Sequence, residues 1–474
     1  MTASPIEPGP PPGTPGYRLL RLLEPPRPDR IRTSPRAWAL VVGTVCVGAF
    51  MGQLDASIVT VALPGIGHDL HVSAAAASWV SLLYLLTLVA LVTPVGIWAD
   101  AVGRKALYVG GFGVFTLATL GCALAPNLPV LGAFRVVQGG GAALLQANSV
   151  ALVAIAAGRE RLVKAIGVQA TFQAIGLAVG PAVGGFLVAA GGWRLVFLVN
   201  VPAGLLGMLT GLVLLPRSRD LAPRRRLDPR SLALLVVGTT ATVLGLSYAA
   251  NSPAAGASAI AVGLVLLGLL VRREIGGTAE PLVDHALLTL GRFRSGLAAG
   301  AATYALLFGL LVAVPFALSH EGVGAGRIGL LLTALPVGLG LATVTVGRRL
   351  RGHGLAGLLV ALGGTAALAV TAPHDGVLLA LLLAVVGAGL GLFTPANNGG
   401  VMACARPDQS GSASGLLNTA RGLGTSLGTA LAALTVTSGL RASIVVLLVV
   451  LALGTAAVAW ETARDRGPRP QTTP

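Results

Sequence analysis

The chain has 474 residues, of which 54% are hydrophobic and only 11% are charged, and its mean hydropathy is +0.83. Because soluble domains carry about 25% charged residues, this composition excludes a soluble protein and indicates an integral membrane protein. The formal net charge of +16 does not indicate a nucleic-acid partner, because the basic residues are distributed as in a membrane topology signal.

The N-terminal tail, residues 1–36, is rich in proline and arginine and is expected to be disordered and cytoplasmic. The apolar run that follows it is far longer than the roughly 7–15 apolar residues of a signal peptide, so we expect no cleavable leader. Cys46, Cys122 and Cys404 lie far apart in or beside apolar runs, and we therefore expect no disulfide framework, no metal site and no cofactor.

Fourteen long apolar runs follow the tail, and each is long enough to cross a bilayer as a helix of about 20 residues. Strands of a membrane barrel are about 10 residues long and alternate in polarity, so we predict an all-α membrane protein. The predicted spans are 37–63, 74–98, 105–125, 128–156, 164–190, 193–215, 231–251, 254–271, 295–319, 327–346, 354–372, 376–399, 409–436 and 440–460.

The basic residues support this count. With the N-terminus in the cytoplasm, 28 of the 33 Lys and Arg residues fall on the cytoplasmic side of the predicted spans. Such a bias sets the orientation of membrane proteins, and one missed or extra helix would reverse it downstream. The pattern predicts a multi-pass protein of the cytoplasmic membrane with both termini in the cytoplasm.

The chain also contains a short motif that occurs twice in similar form. GIWADAVGRKA (96–106) follows the second span and GRRLRGHGLAG (347–357) follows the tenth, with Gly347, Arg351 and Gly354 at the spacing of the first motif. Two six-helix halves are typical of transporters, and spans 7 and 8 form an inserted pair. The predicted regions are the tail 1–36, an N-terminal half 37–215, a basic loop 216–230, inserted helices 231–271, a loop 272–294, a C-terminal half 295–460 and a tail 461–474.

Asp55, in MGQLDASIVTVALP (51–64), is the one charged residue of the first span and the only acid deep in any predicted span. A carboxylate in the bilayer costs roughly 2.5–3.5 kcal/mol on insertion scales, which makes it a candidate functional residue. Arg135 begins RVVQGGGAALLQANS inside span 4 and cannot lose its proton in a protein. Electrostatics therefore favours a pair, or an alternation, between Arg135 and Asp55, unless Arg135 reaches the outer interface instead.

The motif after span 2 contains Gly96, Asp100, Gly103, Arg104 and Lys105. The glycines allow helix ends to approach closely. Asp100 can accept hydrogen bonds from an arginine or a helix N-terminus, which predicts a latch on the cytoplasmic side. Ordinary positive-inside flanking would explain the two basic residues but not the acid.

GLAVGPAVGG in span 5 contains Gly176, Gly180, Pro181, Gly184 and Gly185. Glycines at every fourth residue form a flat face for close helix contact. A proline among them removes a backbone hydrogen bond and kinks the helix. This pattern predicts a hinge or a seal.

Further polar residues lie inside apolar spans. They are candidates for lining a pathway, although packing hydrogen bonds between helices would equally explain the amides. Arg421 is the least expected of them, because its span contains no acid to pair with it. The candidates are Gln138, Gln146, Asn148, Asn397, Asn398, Asn418 and Arg421.

The region from about 37 to 460 resembles the major facilitator superfamily, and within it the fourteen-span drug:proton antiporters of the EmrB/QacA type. Ala101 departs from the family pattern, where a basic residue is usual, as do Ser57 and Thr60 in the first helix. The resemblance rests on five motifs in order: LDASIVTVALP, GIWADAVGRKA, RVVQGGGAA, GLAVGPAVGG and WRLVFLVNVPAG at 193–204.

This resemblance implies a proton-driven exporter of hydrophobic small molecules such as drugs and antibiotics, without enzyme activity. Asp55 would carry the proton and Arg135 would couple it to transport. The expected partners are the substrate, protons and membrane lipid, and we expect a monomer. One deep acid and two intramembrane arginines favour a neutral or anionic substrate. The alternatives are a proton symporter for metabolite uptake and a non-transporting membrane sensor.

Overall fold

The computed structural model describes residues 25–217 except 33 and 35, and then residues 228–248, 252–275, 285–345, 354–371, 375–405 and 410–466. Within these ranges the chain forms helices and no β-strand, as the uniformly apolar runs predict. Five predicted features lie wholly or partly outside the described residues: the two tails, the two loops at 216–230 and 272–294, and the second motif copy before Gly354, with Gly347 and Arg351.

Two of the N-terminal helices begin after a polar residue whose side chain caps the first turn. Ser73 Oγ accepts a hydrogen bond from the Ala76 backbone N–H at 3.2 Å, and Asn127 Oδ1 accepts one from Val130 at 3.0 Å. The helices are α1 (Ala37–Asp69), α2 (Ala74–Val102), α3 (Arg104–Ala123), α4 (Leu128–Gly191), a five-residue helix (Arg194–Leu198) and α5 (Asn200–Leu214).

The remaining helices continue to the end of the described chain. They are α6 (Pro229–Tyr248), α7 (Pro253–Ile275), α8 (Gly291–His320), α9 (Ala325–Thr345), α10 (Gly354–Thr371), α11 (Gly376–Ala403), α12 (Ser410–Thr435) and α13 (Leu440–Arg466). Short helices at Asp29–Arg32, His285–Thr289 and Val436–Ser438 complete the described structure.

Twelve of the described helical segments are long and apolar enough to cross a membrane. The other two predicted spans, 231–251 and 409–436, are helical as α6 and α12 but are not among the twelve. In α12 the reason is composition, because a serine-rich first turn and the later Asn418 and Arg421 reduce its hydropathy. The predicted count of fourteen spans and the inserted pair are therefore not confirmed.

Predicted spans 4 and 5 are joined in α4, a helix of 64 residues without an intervening loop. The joining sequence, AGRERLVKA, contains strong helix formers and no proline, which explains the continuity. The helix nevertheless folds back on itself, as the hydrogen bond from Gln169 Nε2 to Ser149 Oγ shows. Twenty residues of straight helix would separate these side chains by about 30 Å. The two predicted spans are thus two arms of one helical hairpin.

The chain divides into two compact units. The first comprises Met1–Thr240 with Leu318–Thr333, and its core is built where α1, α3 and α4 pack around buried aromatic residues such as Tyr108, Phe112 and Phe115. The second comprises Ala241–Ala317 with Ala334–Pro474, and its most buried helix is α8.

Candidate functional site

A buried ion pair occupies the interior of the first unit. Arg135 Nη1 lies 2.8 Å from Asp55 Oδ2, and both side chains are almost completely inaccessible to solvent, with exposed fractions of 1% and 0%. Asp55 lies in the middle of α1, and Arg135 lies in the second turn of α4. The structure thus joins the two charged residues that the sequence places deep in the first six spans. Arg135 points inward and does not extend to the outer interface.

Arg135 has further partners besides the acid. Its Nε donates to the Val80 backbone oxygen at 2.7 Å, and Nη1 also donates to Gln138 Oε1 at 2.6 Å. The guanidinium lies 4.3 Å from the ring centroid of Tyr84 and 5.7 Å from that of Phe197. Cation–π contacts of this kind are worth about 2 kcal/mol when desolvated. Protein groups on several helices therefore stabilise this permanent charge.

The second oxygen of Asp55 accepts hydrogen bonds from two amides. Gln138 Nε2 donates to Oδ1 at 3.0 Å and Asn200 Nδ2 donates to it at 3.3 Å. The three side chains that bind this carboxylate come from α4, which carries Arg135 and Gln138, and from the start of α5, which carries Asn200. A carboxyl group whose two oxygens both accept hydrogen bonds has the pattern of an ionised carboxylate. Adding a proton to Oδ1 would occupy one of the two acceptor positions that Gln138 and Asn200 use.

Gln138 extends the network to α3. Its Nε2 also donates to Thr119 Oγ1 at 2.9 Å, and the Cys122 thiol lies 3.7 Å from its Oε1. Asn200 keeps its own Oδ1 buried without a hydrogen-bond partner among the described residues. A change in the charge of Asp55 would therefore alter contacts on three other helices.

Sequence reasoning did not select several residues of this site. Asn200 lies in the motif WRLVFLVNVPAG and could have been found as an amide within an apolar run, the signal that identified Gln138. Tyr84 and Thr119 gave no such signal, because single tyrosine and threonine residues among aliphatic side chains are common in packed helices.

The other two candidates on α4 lie apart from the ion pair. Gln146 is exposed, and Asn148 is buried, with its Nδ2 donating to the Leu144 backbone oxygen at 2.8 Å. Neither contacts Asp55 or Arg135. Asn148 therefore stabilises its own helix, and its Oδ1 has no partner in the described residues.

The glycine face of the second arm of α4 packs against the backbone of α1. A Cβ added to Gly176 would lie 2.5 Å from the Phe50 carbonyl oxygen, and one added to Gly184 would lie 2.9 Å from that of Ile58. Between them, a Cβ on Gly180 would overlap Ser57 Oγ. Carbon atoms do not approach backbone this closely, so all three positions require glycine.

The opposite side of this arm meets the N-terminal part of α9, which belongs to the same unit. A Cβ on Gly185 would lie 2.5 Å from the Ala325 carbonyl oxygen, and one on Gly329 would collide with the carbonyl oxygen of Pro181. Pro181 itself is buried inside the helix. Through these glycines, the backbone of the second arm of α4 lies close to the backbones of α1 and α9. The motif therefore packs directly against α1, the helix that carries Asp55.

The motif after α2 has a different local role at each residue. Gly103 has φ of +114°, which other residues rarely adopt, and it separates α2 from α3. Gly96 is not required for space, because an added Cβ would meet only Ala147, at 4.0 Å. The side chain of Asp100 lies outside the described residues, and Arg104 is half-buried.

Lys105 is fully buried, which ordinary positive-inside flanking does not explain. Its Nζ donates to the backbone oxygens of Pro25, Leu212 and Leu215 at 2.9, 2.8 and 2.9 Å. The last two are carbonyls at the C-terminal end of α5, where a cation is favoured by the helix dipole. The lysine therefore connects α3 to the C-terminal end of α5 and to Pro25 of the N-terminal tail.

The polar candidates of the second unit form a separate group. Asn397 Nδ2 donates to the Gly296 backbone oxygen at 2.9 Å, and Arg421 donates from Nη2 to Asn398 Oδ1. The Arg421 guanidinium lies 5.4 Å from the ring centroid of Tyr304. Asn418 is half-buried and makes no side-chain hydrogen bond within the described residues.

Residues 45–319 match the family model of the Major Facilitator Superfamily. The match covers more than half of the chain, and the chain therefore belongs to the Major Facilitator Superfamily. The all-helical fold agrees with a solved transporter of the POT family in complex with 5-aminolevulinic acid. That structure superposes with a TM-score of 0.66 at 14% sequence identity, covering 90% of this chain and 96% of that one.

Curated relatives include transporters of different kinds. The chain is 30% identical over 425 residues to a multidrug resistance protein B homolog of Mycobacterium tuberculosis strain H37Rv, covering 85% of this chain and 76% of the relative. It is 29% identical over 403 residues to the riboflavin transporter RibZ of Clostridioides difficile strain 630, covering 83% and 87%. The protein is thus a multi-pass membrane transporter of the superfamily, and a small-molecule substrate follows from that family.

Proposed function

We propose that this transporter is a proton-coupled antiporter that exports hydrophobic small molecules, including antibiotics, across the cytoplasmic membrane by alternating access. The observation that carries the proposal is the buried pair of Asp55 and Arg135. A titratable acid in the membrane interior, held by an arginine and two amides, is costly unless it has a function. The multidrug-type relative supports export of drugs.

In this mechanism, proton binding to Asp55 exchanges one set of contacts for another. Protonation neutralises the carboxylate, weakens its bond to Arg135 and removes one of the acceptor positions that Gln138 or Asn200 uses. The freed donors then seek other acceptors on α2 and α3. Proton and substrate shift the inward-open and outward-open populations only by their differential affinities for the two states. Coupling follows when each favours a different state.

The proposal includes the topology that the sequence predicts. Fourteen spans, with α6 and α7 as an inserted pair, place both termini in the cytoplasm through the positive-inside bias of the basic residues. The Asp100 motif forms a cytoplasmic latch, and the glycine face of α4 acts as a seal between closely packed helices. The protein functions as a monomer and catalyses no chemical reaction.

The test replaces the proton-binding group without changing its size. Purified protein is reconstituted into liposomes, and efflux of a compound identified in a growth-inhibition panel of toxic molecules is driven by a pH gradient. Asp55→Asn should abolish gradient-driven efflux, because the amide cannot titrate. Asp69→Asn is the matched control on the same helix, since Asp69 is exposed and pairs with Arg194. Unchanged pH-dependent efflux by the Asp55 variant would contradict the proposal.

Uptake of a metabolite is a second candidate function, and the riboflavin transporter among the relatives favours it. Riboflavin is included in the substrate panel for that reason. Cells that express the protein should lose the exported compound faster, and they should not accumulate riboflavin. Gradient-dependent accumulation of riboflavin would assign the protein to symport. A complete lack of proton-coupled flux for every compound would favour a membrane sensor.

A further inference from the structure

We infer that Arg421 is a substrate-binding residue that recognises a carboxylate, or an equivalent planar anion, on an aromatic or otherwise hydrophobic substrate. This inference rests on the proposed export function and narrows its substrate class. The observation behind it is the incomplete set of partners around Arg421 in the second unit, on a helix whose sequence provides no acid.

Arg421 is held in place by neutral groups. Its guanidinium donates one hydrogen bond to the side-chain oxygen of Asn398 and stands 5.4 Å from the centroid of the Tyr304 ring. No acid of the described chain is paired with it. An arginine has five N–H donors in a planar fork and remains charged at any physiological pH. Among the described residues, one amide oxygen leaves most of that donor capacity without an acceptor.

The position of Arg421 is fixed by close helix packing. Cβ atoms added to Gly424 and Gly428 of α12 would collide with the carbonyl oxygens of Ala301 and Ala305 of α8. The equal spacing of these two contacts shows that the helices run parallel at close range. Arg421 lies one turn before the first contact, so its backbone is held firmly beside α8.

The third helix of the group is fixed in a similar way. Asn397 of α11 donates to the Gly296 backbone oxygen at 2.9 Å, and glycine at 296 leaves room for this amide. The next residue, Asn398, is thereby placed to accept from Arg421. The three side chains that define the site, Tyr304, Asn398 and Arg421, are all half-buried and therefore accessible to a ligand.

The chemistry of this site selects an anion. A guanidinium binds carboxylates through two parallel hydrogen bonds, and such charge-assisted pairs are about twice as strong as neutral ones. The adjoining tyrosine ring adds a surface for a flat hydrophobic group. A cationic drug would be repelled by the charge of Arg421, which no acid of the described residues neutralises. Asp55, the acid that could attract such a cation, lies in the other unit and is already bound to Arg135.

An anionic lipid headgroup could provide the same acceptor chemistry. Arg421 lies eleven residues after the first residue of α12, or about 16 Å along the helix. Lipid phosphates lie at the membrane interface, so this depth favours the carboxylate of a substrate inside the protein. The two sources are separated in the experiment by the lipid composition.

The experiment measures binding by the purified, full-length protein in nanodiscs, without any gradient. The probes are matched pairs with and without the charge, 2-naphthoate with 2-naphthamide and quinoline-2-carboxylate with quinoline-2-carboxamide. For at least one pair, the wild-type protein should bind the carboxylate more tightly than the amide. The preference should be about 10- to 100-fold, the range expected for hydrogen bonds to a charged group.

Arg421→Gln should abolish this preference, and Arg421→Lys should reduce it, because a lysine keeps the charge but loses the planar fork. Arg441→Gln is the matched control, since Arg441 is exposed at the start of α13 in the same unit. It should leave the preference unchanged. If the glutamine variant does not fold, the lysine variant decides the matter: a reduced preference for the carboxylate supports the inference, and an unchanged preference overturns it.

Three results would overturn the inference. The first is an equal affinity, or equal lack of affinity, for both members of every pair in the wild-type protein, and the second is a preference that survives at Arg421→Gln. Loss of the preference when phosphatidylglycerol replaces phosphatidylcholine would assign the site to lipid and also overturn it. Because binding requires no proton gradient, its outcome is independent of the Asp55→Asn transport test.

Discussion

Arg135 and Arg421, the two arginines that the sequence places inside apolar runs, are in opposite electrostatic situations. Arg135, in the first unit, is 1% exposed, is paired with Asp55 at 2.8 Å and contacts two aromatic rings. Arg421, in the second unit, is half-buried and has an amide oxygen and one ring. A charge that the protein neutralises internally suits coupling, because only a proton can disturb it. A charge without an internal counterion suits recognition of an external anion.

The largest expected effect in this comparison is on stability. Arg135→Gln leaves the Asp55 carboxylate buried without its counterion, and breaking such a pair costs about 3–5 kcal/mol. Arg421→Gln leaves no acid of the described residues uncompensated and should cost less than about 1 kcal/mol. Thermal unfolding of both variants in the same detergent measures the difference.

The double variant Asp55→Asn/Arg135→Gln provides the control for this prediction. Replacing both charges by amides removes the uncompensated acid, so the double variant should be more stable than Arg135→Gln alone. Equal destabilisation by Arg135→Gln and Arg421→Gln would show that the two arginines are not in different environments.

A smaller effect should follow when the packing around the Asp55 helix is changed. Gly176→Val inserts a side chain where a single Cβ already lies 2.5 Å from the Phe50 carbonyl oxygen. Overpacking of this kind costs typically about 1–3 kcal/mol and should displace α1 near Asp55, which reduces transport. Efflux by reconstituted protein measures the loss.

Gly167→Val is the matched control in the same arm of α4, because no atom lies within 4 Å of a Cβ added there. It should leave transport near the wild-type rate. Full transport by Gly176→Val, alongside a normal Gly167→Val, would show that the glycine face does not position the coupling site.

The smallest effect is expected at an exposed ion pair. Asp69 Oδ2 accepts from Arg194 Nη1 at 2.7 Å and from Trp193 Nε1 at 2.9 Å, but the side chains of Asp69 and Arg194 are 48% and 43% exposed. Exposed pairs contribute about 0–1 kcal/mol. Asp69→Asn should therefore change the unfolding temperature little. A destabilisation as large as that of Arg135→Gln would mean that burial does not distinguish the two acids on α1.

The sequence by itself determined the class of protein and its most conspicuous polar residues. Long apolar runs can satisfy their backbone in lipid only as helices, so composition alone predicts a helical membrane protein. The same reasoning isolates Asp55, Arg135 and Arg421, because a charge in an apolar run is costly wherever the helix is placed. The glycine repeat around Pro181 could also be recognised in the sequence, because close packing of helices requires residues without a side chain.

Only the tertiary structure decided which of these residues meet. Asp55 and Arg135 are 80 residues apart, and the amide of Asn200 lies 145 residues from Asp55. Lys105 reads as a topology signal in the sequence, but folding buries it against carbonyls at the end of α5. Hydropathy reports the cost of a polar group along one helix, whereas its partners come from other helices. The pairing of Arg135, and the lack of a described acid beside Arg421, therefore depend on packing.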